Sequence, residues 1–274
     1  SHGRPERVKS LIFNTRRAPF DDIRVRKALN LAFDFDWMNK SLLHGQYSRI
    51  QSYFPNSSLA ATNPITPAEL ALYNKYLKTL PEDAKTTARQ TDITALWSPS
   101  HTPDNTARRQ NLRKAAKLLD EAGWIIQNGQ RVRADNPAQP LTFEIVISEA
   151  EDEKIVLAYS RALERLGVKA KIRLLDTATF QGRLRSFDYD MILYFWRNSL
   201  SPGTEQVLYY SCNAGKTEGQ WNYMGVCDPV LDKLVYGIAG AKTRTDLVHH
   251  AKLIDRILLN GVYTIPFYYA GADF

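Results

Sequence analysis

The sequence contains two cysteines and no run of eighteen apolar residues. The second absence excludes a membrane-spanning helix. Scarce cysteine excludes a zinc finger or ribbon, which needs more ligands at close spacing, and none of the five histidines lies near Cys212 or Cys227. No metal or other cofactor is therefore expected. There is also no glycine-rich phosphate loop and no RNA-binding aromatic motif. The first thirty residues are basic and polar and lack the apolar core of a signal peptide. That leaves a cytosolic protein or one whose signal has been removed. Ser1-His2-Gly3 reads as a vector remnant, which favours removal.

What is present is a chain of 274 residues, 44% of them hydrophobic, enough for one large or two small packed domains. The net charge of +7 raises the question of nucleic acid. The longest cationic cluster is Arg108, Arg109, Arg113, Lys114 and Lys117, on a helix whose other face carries Leu112, Ala115, Ala116 and Leu119. This pattern reads as a solvated helix face, so no nucleic-acid partner is expected. A basic nucleic-acid module remains as an alternative, one whose affinity would collapse with salt. Cys212 and Cys227 bracket a polar loop and read as a loop-closing disulfide, worth about 3 kcal/mol in the chain-entropy model. Such a bridge belongs outside the reducing cytosol. A cysteine nucleophile is the alternative, without a supporting local motif.

Along the chain, VKSLIFN (8–14) reads as a strand. A helix from Asp21-Asp22 then buries Val25, Ala28, Leu29 and Ala32. Thr66-Pro67-Ala68-Glu69 is a capping box opening a helix. Residues 81–105 are polar and irregular around a lone Trp97, and are expected to be disordered or laid over the surface. WIIQNGQRVR predicts a hairpin turning at Asn128-Gly129.

Strand and helix then alternate: LTFEIVIS (141–148), a helix capped by Ser148 and Glu151, VKAKIRLLD (168–176), a helix, and YDMILYFW (189–196). This order implies parallel neighbours in a sheet covered by helices, an α/β fold, with 189–196 apolar on both faces as a central strand should be. Asp228-Pro229 and Thr243-x-x-Asp246 open two more helices. The closing VYTIPFYY (262–269) is interrupted by Pro266 and is expected at an edge or crossing between sheets.

In open α/β sheets ligands sit beyond the carboxyl ends of the strands. Phe195, Trp196, Arg197, Asn198 and Ser199 stand there, two aromatics followed by donors and acceptors, the mix of a ligand cleft. A strand end exiting into the turn Ser201-Pro202-Gly203 is the alternative. Glu205 and Gln206 are the next candidates. Trp221, Asn222 and Tyr223, between the cysteines, form a cleft wall or pack the loop, and Asn14 and Arg16, which follow the first strand, are expected to face the cleft.

FNTRRAPFDDIRVRKALNLAFDFDWMN (13–39) resembles the start of the C-terminal lobe of the family 5 extracellular solute-binding proteins, receptors of bacterial ABC importers. LRSFDYDMI (184–192), SLSPGTEQ (199–206) and NYMGVCDPVLDKLV (222–235) resemble the branch of YejA type, linked to peptide and microcin C uptake. LLDEAGW (118–124) and IPFYY (265–269) fit the same pattern.

The resemblance implies a lobe of type II periplasmic-binding fold over residues 8–274, a mixed sheet flanked by helices, preceded by a remnant and hinge-proximal segment at 1–7. It also implies a peptide-like ligand, a permease at the inner membrane, a periplasmic location, and an N-terminal lobe of the same chain lying outside this sequence. Peptide receptors of the family place an aspartate after the equivalent aromatic strand to pair with the ligand's amino group. The nearest position here is the neutral Asn198, leaving Glu205 as the nearest carboxylate. A hydrolase using cysteine or a carboxylate pair, Glu149/Glu151 or Asp188/Asp190, is the competing function. Helix capping accounts for the first pair, and the second flanks a strand start, away from the ligand end.

Overall fold

Each run of alternating or continuous apolar residues becomes a strand or helix in a computed structural model that describes residues 7–270; Ser1-His2-Gly3 lies outside them. The chain opens with β1 (Val8–Phe13), α1 (Ile23–Leu31), α2 (Phe35–Leu42), β2 (Tyr47–Arg49), α3 (Pro67–Lys78) and α4 (Glu82–Ala88). Its middle holds α5 (Asn105–Glu121), β3 (Trp124–Gln127), β4 (Gln130–Arg133), β5 (Thr142–Ile147), α6 (Glu153–Glu164) and β6 (Lys169–Leu174). The remainder holds α7 (Thr177–Ser186), β7 (Met191–Trp196), α8 (Glu205–Tyr210), α9 (Cys212–Lys216), α10 (Pro229–Ile238), α11 (Arg244–Gly261), β8 (Thr264–Pro266) and β9 (Tyr268–Ala270).

Short polar side chains start most helices by accepting hydrogen bonds from first-turn amides. Asp22, Asp104, Asp176, Asp228 and Thr243 do so, and Thr66 with Glu69 completes both halves of the capping box. The cap expected from Ser148 and Glu151 does not form. A 3-10 turn, Ala150–Asp152, intervenes, and α6 begins at Glu153 without a side-chain cap. Its N-terminal Asp152 is instead taken by Lys9, whose Nζ donates to both carboxylate oxygens at 2.7 and 2.8 Å.

Residues 81–105 also differ from expectation, since they contain α4. The segment after it lies over the molecule and is tied down. Arg256 donates to the Ala95 carbonyl at 3.0 Å, and Asn260 accepts from the Trp97 amide at 2.8 Å. On α5, Arg109, Arg113, Lys114 and Lys117 face solvent, while Arg108 pairs with Asp34. The β3–β4 hairpin turns at Asn128 and Gly129, both at positive φ (53° and 77°), the backbone a two-residue hairpin turn requires.

The main sheet has the order β6-β5-β7-β1-β8, with β5 parallel to both β6 and β7, and β1 antiparallel to β7 and β8. The period of two sends Val8, Ile12, Val146, Ile192 and Trp196 to one face and Leu11, Phe13, Ile145, Met191 and Leu193 to the other. The first face packs on α7, α10 and α11, the second on α1, α5 and α6. Helices α6 and α7 therefore cover opposite faces, and the connection reverses direction between β5 and β7. Pro266 lies on the edge strand β8, opposite Ser10, where its missing N–H costs no inner ladder bond. The chain then crosses to a second small sheet, β9 pairing with β2. The expected neighbourhood of the first and last strands is present, with Leu11 opposite Ile265.

Candidate functional site

The strand order puts the reversal beside β7, so the crevice that parallel α/β sheets leave for ligands opens at the carboxyl end of this strand. Phe195 is half-buried there, with the guanidinium carbons of Arg7 and Arg197 at 4.3 and 5.5 Å from its ring centre. Arg197, Ser199 and Leu200 are exposed. The Arg197 carbonyl accepts from the Tyr209 hydroxyl at 3.0 Å, and the Tyr209 ring lies 5.6 Å from that of Trp221, which is 43% exposed. Burial raises the pKa of Tyr209, and the charge of Glu205 adds to this. Glu205 accepts twice from the Gly203 amide at 3.0 Å, and Ser199 Oγ accepts from the Ser201 amide at 3.1 Å. The open surface here has Phe195 beside the guanidinium groups of Arg7 and Arg197, with Trp221 beyond Tyr209.

Other expected site residues point inward, and their assignment to the cleft surface is corrected accordingly. Trp196 is 1% exposed, because the alternation of β7 directs it into the core among Tyr53, Tyr210 and Tyr223. Its Nε1 donates to the Trp221 carbonyl at 3.2 Å, which fixes the neighbouring wall. Asn198 donates to the Tyr53 carbonyl at 2.6 Å and accepts from the buried Gln206 at 2.9 Å. Asn222 is fully buried; its Oδ1 accepts from the Gly225 and Val226 amides and its Nδ2 donates to the Ser211 and Val226 carbonyls. Tyr223 is buried, and its carbonyl accepts from the Tyr189 hydroxyl at 2.6 Å.

Asn14 and Arg16 lie at the far end of the sheet. The direction of β1 decides this, since Val8 stands opposite Trp196 and Phe13 opposite Met191. Asn14 donates to the Phe187 and Tyr189 carbonyls, and Arg16 to the Gly215, Asn222 and Tyr223 carbonyls. Asn14 thus holds the turn that leads into β7, and Arg16 holds the loop that carries the cysteines. The sequence reading missed Arg7, Tyr53, Tyr209 and Tyr210. Two aromatics in QVLYYSC were the only signal for the last pair, and nothing local marks Tyr53 as the partner of Asn198.

Cys212 and Cys227 form the expected disulfide. Asp188 and Asp190 sit at the far end and pair with Arg17 at 2.7 and 3.2 Å, and the Arg17 hydrogen bond holds Asp188 below its usual pKa. Among the described residues no cluster of three or more His, Cys, Asp or Glu is placed to hold a metal ion. Nor is any helix among them long and apolar enough to cross a membrane.

The family model for "Bacterial extracellular solute-binding proteins, family 5 Middle" matches residues 1–218. The peptidoglycan-binding protein YepA of Agrobacterium fabrum is 37% identical over 270 residues, covering 98% of this chain and 42% of the relative. YejA of Escherichia coli is 37% identical over 264 residues, covering 96% of this chain and 42% of the relative. The chain thus spans about two fifths of the length of these curated relatives. Among solved structures, the oligopeptide-binding protein AppA from Bacillus subtilis, in complex with a nonapeptide, superposes with a TM-score of 0.71 at 18% identity. That match covers 97% of this chain and 45% of AppA.

Proposed function

The chain belongs to the bacterial extracellular solute-binding proteins of family 5, in the branch of YejA type, with the type II periplasmic-binding fold, and from this premise we propose that it is the C-terminal lobe of a peptide receptor. In this reading residues 8–274 form one lobe, and the rest of the receptor supplies the other. The intact receptor captures peptide or peptide-like solutes in the periplasm and hands them to an ABC permease at the inner membrane. It performs no catalysis. The two cysteines are joined, and of the two candidate carboxylate pairs Asp188/Asp190 is neutralised by Arg17 at the wrong end of the sheet. The disulfide also agrees with an extracytoplasmic location.

The observation that carries this reading is the open aromatic and cationic surface at the end of β7. Phe195 and Trp221 offer faces to apolar side chains, and Arg197, with Ser199 and Glu205 behind it, offers polar contacts. Trp196, Asn198, Gln206 and Tyr223 support that surface from beneath. β1 and β8, which lie side by side, are the strands through which the chain would reach the other lobe, and closure would be a hinge movement about them.

Calorimetric titration of the 274-residue chain with trialanine tests the reading. Trp221→Ala and Arg197→Ala remove exposed side chains and leave the Trp221 carbonyl in place for Trp196. Each should weaken binding about tenfold, the loss of one good contact of about 1.4 kcal/mol. Undiminished affinity in both variants would overturn the assignment of this face.

A further inference from the structure

We infer that the groove where α2, α5 and α6 meet is a docking site for an acidic amphipathic helix of a partner protein. The groove encloses about 300 Å³. Its floor is aliphatic: Leu31 at the end of α1, Met38 on α2, Leu112 on α5, and Ala158 and Ala162 on α6. Met38 is buried and the other four are half-buried, so this apolar surface is recessed. Trp37 lines the groove with its indole 41% exposed, and the Arg108 guanidinium carbon lies 5.9 Å from its ring centre. Arg161 and Arg165, both exposed, complete the rim.

Helix α6 has two working faces. Ile155, Tyr159 and Leu163 are buried in the core beneath the sheet. Ala158, Arg161, Ala162 and Arg165 recur at i, i+3, i+4 and i+7, so they share a second face, and that face lines the groove. The C-terminal end of α6 leads into the start of β6, which runs parallel to β5 and through it to β7. The Arg161 and Arg165 rim therefore lies toward the end of the strands opposite the aromatic face, and a partner seated there leaves that face open.

The charges around the groove select the occupant. Asp34, the one carboxylate lining it, is already taken by Arg108 at 2.5 Å and by the Thr102 hydroxyl. Arg161 and Arg165 have no carboxylate partner among the described residues. An aliphatic floor under unpaired cations complements a helix whose Leu or Ile stripe is flanked by Glu or Asp. Tryptophan and arginine are also the side chains that interfaces favour at their energetic centres. An anionic membrane fits less well, because it takes up apolar groups that protrude, and here they lie below the rim.

The probe is a synthetic helix, acetyl-Glu-Leu-Leu-Glu-Glu-Leu-Leu-Glu-Glu-Leu-amide, titrated into the 274-residue chain while 15N-edited NMR follows the tryptophan indole signals. It should shift Trp37 saturably and leave Trp221 unmoved. The same peptide with Gln for Glu should need about tenfold more to move Trp37, the order expected for losing two ion pairs at a rim. The double variant Arg161→Glu, Arg165→Glu changes only exposed side chains, and an unmoved signal of the buried Trp196 verifies its fold. In it the preference should reverse, with the Lys-for-Glu peptide binding more tightly than the acidic one. A Trp37 signal that ignores the acidic peptide, or an unchanged preference in the double variant, overturns the docking site. So does a response of Trp221 alone, which would mean that the peptide enters the solute cleft. Sedimentation with phosphatidylglycerol vesicles that is lost in the double variant, with no response of Trp37 to the acidic peptide, would assign the face to a membrane instead.

Discussion

Phe195 and Trp196 are adjacent and both aromatic, yet the pleat sends one to the open face and the other into the core. Trp196→Ala is therefore expected to be a stability mutant rather than a pure binding mutant, costing about 3–5 kcal/mol as buried aromatic truncations do. Urea unfolding checks this; a midpoint equal to that of the unmutated chain would show that Trp196 is not core. The side-chain roles at this end were only partly legible in the sequence. The mixture of aromatics and polar groups marked the place, but whether Asn198 faces ligand or protein depends on Tyr53 and Gln206, which bind it from other parts of the chain.

A second residue-scale expectation concerns Asp255, fully buried on α11. It accepts from the Ser52 hydroxyl and from the Tyr53 and Ala61 amides. Burial pushes its carboxyl up to about 6, outweighing those hydrogen bonds. The folded form thus holds its proton over a range where the unfolded carboxyl, near pKa 3.9, has lost it. This group's contribution to stability should fall as pH rises from about 4 to about 6, and be level above that. Carboxyl 13C titration should give a midpoint near 6; a midpoint near 4 would refute the dominance of burial.

At the scale of elements, periodicity located β1, β5, β6, β7 and the helices that bury one apolar stripe, because those signals are local. Short pieces were not foreseen: α8 and α9 span six and five residues, too short to show a helical period. The missing cap on α6 has a different cause, since Lys9 from a distant strand claims Asp152. Asn14 and Arg16 were placed at the wrong end because a strand's sequence does not encode its direction in the sheet. The partners of Arg16 make the 211–228 loop an element in its own right, held by Arg16, Asn222 and the disulfide. Reducing the bridge, which closes a separation of 15 residues, should cost about 3 kcal/mol. Denaturant curves with and without reductant measure it. Thiols that alkylate without reductant in oxidatively prepared protein would contradict the pairing.

For the whole molecule, the order of strands and helices was enough to imply a parallel core with helices on both faces, and the two clusters on either side of the sheet follow from that pattern. The antiparallel insertion of β1 between β7 and β8 was not legible, because it depends on pairing partners about 180 to 255 residues apart. It matters for function, since it places the chain's entry at Val8 and its passage beyond β8 at the same end of the sheet as the aromatic face. A receptor that closes over its solute divides the contacts between two lobes, so one lobe should bind on the order of millimolar or weaker.

The most direct test is a backbone 15N NMR titration of the 274-residue chain with trialanine, mapping every shifted amide onto the structure. The account predicts saturable shifts confined to the β7 end, around Phe195 to Leu200 and Trp221, with the peptide recovered intact. Shifts centred on Asp188 and Arg17 at the opposite end, or cleavage of the peptide, would contradict it.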